Sequence, residues 1–255
     1  MTGLLRAEVR KIFTVKLWWG MLLGSMGFAA LAVVAQIASN GAARSGALPL
    51  TSAQTQQSIF ASAASGEIFS VIVGIILITT EYRHFTSRPT FLIEPRRGRV
   101  ILAKVATSAM VGLLYGTCSV AITVAIAAPW LAAKQVSIGW VSDQVLLVLL
   151  GGLTVGVVFA VLGLGVGVLM RNQIAAVIAT LAYLFVVEPL TTVIPVVKEV
   201  YRFLPGAAGA ALTAYGTTRN GITLLQPWQG GLLLFGWGLL LALAGYLLSV
   251  RRDVQ

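Results

Sequence analysis

The chain has 255 residues, of which 58% are apolar and 10% charged, and its mean hydropathy is +0.91. A soluble domain carries about 25% charged residues, so a soluble enzyme, a disordered tail and a secreted disulfide scaffold are excluded. The net charge of +10 lies in short clusters between apolar runs, as in membrane topology signals and unlike a nucleic-acid surface.

Residues 4–17 read as an amphipathic helix. Leu5, Val9, Ile12 and Phe13 share one face, with Arg10, Lys11 and Thr14 opposite. Such a helix lies along the membrane interface. The first apolar run, 18–37, is too long for the ~7–15-residue core of a signal peptide, so an uncleaved anchor is expected.

The second run, 59–80, contains Glu67 with Ser62, Ser65 and Ser70 nearby. With Glu81 at the inner boundary, Glu67 stands roughly 21 Å up the helix and inside a core of ~30 Å. An intramembrane carboxylate points to a pathway or to a hydrogen-bonded structural role.

Residues 81–104 are too polar for lipid. Thr86 or Ser87 can cap a short helix whose first turn holds Pro89 and which Pro95 stops. Phe91 and Leu92 would stand among charges on it, as a docking tip for a soluble partner.

Further apolar runs follow at 105–129, 145–170, 174–194 and 230–250, making six. In the fourth, Gly152, Gly156, Gly163 and Gly167 fall on one narrow stripe suited to close helix packing within one subunit. Glu188 sits on the fifth at a level similar to Glu67. Pro189, Pro195 and Pro205 are each expected to break or kink a helix between the fifth and sixth runs.

If the N-terminus is cytoplasmic, 13 of the 18 basic residues lie inside and five outside, and the C-terminus returns to the cytoplasm. Trp18 and Trp19 then mark the inner boundary, and Trp130, Trp140 and Trp228 the outer one. Trp237 alone is mid-span.

The stretch Glu81-Tyr82-Arg83 … Thr86 … Pro95-Arg96-Arg97 … Lys104 resembles the loop between the second and third spans of type-2 ABC exporter permeases. It departs from the family at Phe85, where glycine is common. A second similarity runs from Val187-Glu188-Pro189-Leu190 to Leu204-Pro205-Gly206-Ala207-Ala208, where such permeases carry short, partly re-entrant helices. The resemblance covers essentially the whole chain.

It implies an all-α integral membrane protein of six spans, a single permease domain over 1–255, with an interfacial helix (1–17), a cytoplasmic coupling loop (81–104) and an extracellular or re-entrant segment (195–229). It also implies a separate ABC ATPase subunit as partner, engaged through Glu81, Arg83, Thr86, Pro89, Phe91 and Leu92, and a second permease copy or sister permease. The expected surroundings are membrane lipid in a bacterial cell membrane.

No Gly-x-x-x-x-Gly-Lys-Ser/Thr loop occurs, so ATP hydrolysis is expected in the partner. With one cysteine, Cys118, and one histidine, His84, no metal, cofactor or nucleic acid is expected. The substrate suggested is hydrophobic or amphipathic, with Glu67 and Glu188 as possible pathway residues. Two other readings stay open: a membrane assembly protein without a pathway, and an ion-coupled carrier using Glu67 and Glu188.

Overall fold

The computed structural model describes residues 2–14, 16–41, 48–83, 97–194, 198–214, 218–219 and 222–252. The amphipathic helix α1 (Thr2–Thr14) is followed almost at once by α2 (Leu17–Gly41). The second apolar run is one helical run in three parts: α3 (Ala53–Ala61), a 3-10 turn (Ser62–Gly66) and α4 (Glu67–Arg83). Next come α5 (Arg97–Ala133) and α6 (Val145–Met170).

The fifth run is α7 (Gln173–Ala182), a π turn (Tyr183–Val187) and α8 (Glu188–Val193). A 3-10 turn (Lys198–Phe203), the short α9 (Pro205–Ala211) and α10 (Pro227–Arg252) complete the helices. Between α9 and α10, strands β1 (Thr218–Arg219) and β2 (Ile222–Thr223) form one small antiparallel pair, Thr218 opposite Thr223.

Among the described residues, six helical runs are long and apolar enough to cross a bilayer, and the protein is an all-α membrane protein. Five of the six tryptophans segregate to the two ends of the bundle. Trp18 and Trp19 stand at the start of α2, while Trp130, Trp140 and Trp228 stand near the end of α5 and the starts of α6 and α10.

Three details depart from the sequence reading. The interfacial helix ends at Thr14, and Leu17 already belongs to α2. Pro129 does not end the third span: α5 continues through it to Ala133, with Pro129 forgoing one helical hydrogen bond in the last two turns. Nor does Pro189 break the fifth span. The preceding turn widens to π geometry, with Glu188 donating to the Tyr183 carbonyl five residues back, and the helix runs on to Val193. Pro205 does begin a new helix, at the first turn of α9. Pro195 lies outside the described residues.

The most buried span is α6, which packs on α4, α5 and α10. Its glycines make this possible, although they do not act as one stripe. Gly163 and Gly167 lie over the α4 backbone at Val71 and Ile75, and Gly152 lies against Ala63 in the 3-10 turn. Gly156 turns to Gly112 and Gly116 of α5, while Gly165 meets Gly238 of α10. A methyl on Gly163 would collide with the Val71 carbonyl oxygen, so backbones touch directly here.

Polar contacts tie α5 both to α6 and to α2. Ser108 donates to the Ala160 carbonyl at 2.8 Å, and the Ser25 and Ser119 hydroxyls lie 2.9 Å apart beside Gly66. At the far end of the bundle, buried Gln56 of α3 donates to the Ser137 carbonyl and accepts from the Gly139 amide, both at 2.9 Å. It thereby clamps the connection between α5 and α6.

Candidate functional site

Polar chemistry concentrates at the two ends of the bundle. At the α1 end, Glu8, Lys11, Glu81 and Lys104 close a ring of alternating charge. Lys11 Nζ donates to Glu8 Oε1 and to Glu81 Oε1, each at 2.8 Å. Lys104 Nζ lies 3.1 Å from Glu8 Oε2 and 2.5 Å from Glu81 Oε1. Glu8, Glu81 and Lys104 are 7%, 6% and 8% exposed, and Lys11 is about half exposed.

The ring joins three elements. Glu8 and Lys11 come from α1, Glu81 from the last turn of α4 and Lys104 from the second turn of α5. Burial alone would raise the Glu8 carboxyl, but Lys104 and Lys11 outweigh it and hold the group below its usual range. Burial would likewise lower Lys11, yet its hydrogen bonds to Glu8 and Glu81 and their charges raise it. In such a ring, removing a buried charge is costly because it leaves buried partners uncompensated.

Apolar packing holds α1 down beside the ring. Ile12 is buried in a cluster with Leu22, Val73, Val111 and Tyr115, and the Tyr115 hydroxyl donates to the Trp18 carbonyl at 2.8 Å. Phe13, placed by its periodicity on the apolar face, remains half exposed and stacks edge-on against Trp18. Lys11, placed on the opposite, solvent face, instead reaches across to Glu81.

The sequence resemblance places Glu81 and Arg83 in a coupling loop. The structure puts both within α4, with Glu81 committed to the ring; α5 in turn starts at Arg97, so 81–104 is helical at both ends. Thr86, Pro89, Phe91 and Leu92 lie outside the described residues.

At the opposite end a cavity of about 770 Å³ lies between α2, α3, the 3-10 turn, the start of α4 and α9. Its walls carry Gln36, Gln57, Ser62, Ser65, Glu67 and Thr213, interspersed with alanines. Glu67 stands midway along the helical run Ala53–Glu81, and one of its oxygens lies 3.6 Å from where a Cβ on Gly209 would be. Glycine at 209 thus lets α9 approach both Glu67 and the ring of Phe159.

Glu188 approaches the same short helix from its other end. Its carboxylate accepts the Gly206 amide at 3.0 Å and the Ala207 amide at 2.7 Å, and it is 3% exposed. It therefore caps α9, whereas Glu67 faces the cavity. Trp237 explains its mid-span position by donating its indole N–H to the Phe203 carbonyl at 3.0 Å. Trp237 is ten residues into α10, or about 15 Å, so the chain before α9 dips well into the bundle.

Sequence reasoning missed Glu8, which shares the apolar face of α1 with Leu5, Val9 and Ile12. An acid at that register was the available signal of a buried cationic partner. It also missed Gln36 and Gln57, because polar residues near helix ends read as ordinary interface.

Residues 4–187, from α1 through the π turn of the fifth span, match the family described as ABC-2 family transporter protein, and the chain belongs to that family. Comparison with curated proteins and with solved structures gives no match.

Proposed function

We propose that this member of the ABC-2 transporter family is the permease subunit of an ATP-driven exporter. It would work with a separate ABC ATPase subunit and a second permease copy or a sister permease, and would move a hydrophobic or amphipathic substrate out of the cytoplasm or inner leaflet. The excess of basic residues at the α1 end favours both termini being cytoplasmic, and the chain's richness in Ala, Gly and Val fits a bacterial plasma membrane.

The observation that carries this reading is the ionic ring. The residues between α4 and α5 hold the candidate docking segment, with Thr86, Pro89, Phe91 and Leu92. The helices that flank it are tied to each other and to α1 through Glu81, Lys104, Glu8 and Lys11. A displacement of the docking segment by an ATPase would move α1, α4 and α5 together instead of bending one loop. Such coupling requires the ATPase to bind the segment differently in its two nucleotide states, because only differential affinity shifts an equilibrium.

The test is gentle extraction at native expression, followed by identification of whatever copurifies. The unaltered chain is expected to bring down an ATPase subunit, and Phe91→Asp to lose it. Glu81→Ala is expected to insert normally and to uncouple ATP hydrolysis from transport. An intact, folded protein that never associates with an ATPase would overturn the exporter reading.

A further inference from the structure

Beside the ionic ring lies another cavity, of about 340 Å³, between α1, the start of α2 and the last turns of α4. Glu8, Lys11 and Glu81 stand at its ring end, and Leu17, Val73, Ile76 and Leu77 form apolar walls. From Glu81 to Val73 it follows α4 for eight positions, or about 12 Å. It therefore runs from the level of the interfacial helix into the hydrocarbon of one leaflet, whose full core is ~30 Å thick for both.

The polar groups lining it are unequally committed. The Thr14 and Thr80 hydroxyls donate to carbonyls of their own helices, those of Lys11 and Ile76, at 2.8 and 2.6 Å. Lys11 Nζ gives two of its three N–H groups to Glu8 and Glu81 and stays half exposed. The indole N–H of Trp18, which also lines the cavity, is buried and has no partner among the described residues. A buried donor left unpaired is unfavourable, so an acceptor belongs there. Charge has a sign here too. Arg6, Arg10, Lys11 and Lys16 are exposed, whereas Glu8, the one acid in residues 2–16, is buried.

We infer that this cavity seats one anionic phospholipid, with an acyl chain between α1 and α4 and the phosphodiester at Lys11 and Trp18. The chain covers the apolar walls, and the phosphate or ester oxygens accept from the two donors. A purely apolar occupant would leave the Trp18 N–H unpaired. A choline or ethanolamine headgroup would meet exposed cations, whereas a headgroup without an amine would not. Glu8 and Glu81 do not forbid the phosphate, because Lys11 and Lys104 neutralise them within the ring. The cavity is small beside a whole lipid, so the rest of the molecule stays in the bilayer. None of this depends on the exporter reading.

The test uses the full chain without an ATPase, in nanodiscs of equal phosphatidylcholine and phosphatidylglycerol. Native mass spectrometry counts the lipids that the released protein retains. One phosphatidylglycerol is expected, favoured over phosphatidylcholine by about tenfold. Trp18→Phe keeps the ring and removes the N–H, and is expected to weaken retention. Ile76→Trp fills the cavity from α4, leaves both donors in place and is expected to abolish it. Arg10→Gln with Lys16→Gln is expected to erase the preference for phosphatidylglycerol. Thermal unfolding of each variant confirms that it is folded.

The inference is overturned if the unaltered chain retains no phosphatidylglycerol, or retains phosphatidylcholine equally well. It is equally overturned if folded Ile76→Trp retains phosphatidylglycerol as the unaltered chain does, because the lipid would then sit elsewhere on the surface.

Discussion

Removing Lys104 tests the ionic ring most directly. Lys104→Met leaves Glu8 and Glu81, 7% and 6% exposed, to share Lys11, which is about half exposed. At separations near 3 Å and an effective dielectric of about 20, each lost contact is worth about 5–6 kcal/mol of Coulomb energy before desolvation is returned. The net cost of leaving buried charge unpaired is about 3–5 kcal/mol. Lys11→Met removes as many contacts from a side chain that water already screens, so its cost should approach the ~0–1 kcal/mol of an exposed pair.

A double substitution sharpens the contrast. Glu8→Gln with Lys104→Met deletes opposite charges and leaves the Lys11–Glu81 pair whole, so it should cost less than the sum of the singles by about 1–3 kcal/mol. The readouts are thermal unfolding in nanodiscs and hydrogen exchange across 2–14, which reports whether α1 stays docked. Equal costs for Lys104→Met and Lys11→Met, or strictly additive singles, would refute the ring as a cooperative unit.

The ring also sets a pH window. Glu8 titrates below its ordinary 4.5 in the folded protein, so its contribution is complete above 4.5 and is lost as pH falls through the lowered value. Lys11 titrates above its ordinary 10.5, so its contribution is complete below 10.5 and is lost as pH rises through the raised value. Hydrogen exchange of α1 corrected for intrinsic rate should be flat between those limits, and Glu8→Gln should abolish the acid limb. Gly163→Ala should destabilise by about 1–3 kcal/mol, because its methyl meets the Val71 carbonyl. Gly236→Ala, where a Cβ meets nothing, should be neutral or stabilise by up to about 1 kcal/mol; thermal unfolding compares the two. Glu188→Ala should cost about 1.5–3 kcal/mol by removing the acceptor for Gly206 and Ala207, with lost exchange protection confined to 205–211.

Much of the fold was legible because a bilayer leaves few choices. A backbone without water must pair its own polar groups, so every run of about 20 apolar residues becomes a helix. The six spans emerge within a few residues of where hydropathy puts them, and the errors fall where local rules yield to neighbours. Pro189 sits within a helix because a π turn absorbs it, which no proline rule foresees. The glycines of α6 were visible as a stripe, but which glycine meets which helix depends on three neighbours at once.

The polar sites were half legible for a related reason. Glu67 and Glu188 stand out in the sequence because they are acids in apolar runs, but their different roles depend on α9, a seven-residue helix with no marked periodicity. Glu8 and Lys104 are separated by 96 positions and meet only once α1 has folded back on α5.

The two polar ends share one mechanical element. Glu67 opens α4 in the cavity and Glu81 stands in its last turn in the ring, 14 positions and about 21 Å apart along a single helix. Between them α4 presses its backbone on α6 at Gly163 and Gly167, so bending it locally would break contacts that leave no room for slack. A rigid helix held this way transmits displacement, not strain. On the exporter reading, whatever moves the docking segment by a small amount must move Glu67 too, either against α9 or away from it. Substitutions at Gly163 should then weaken the coupling of ATP hydrolysis to transport even where both polar ends remain intact. Unchanged coupling in a folded Gly163→Ala protein would show that α4 is not the connecting element.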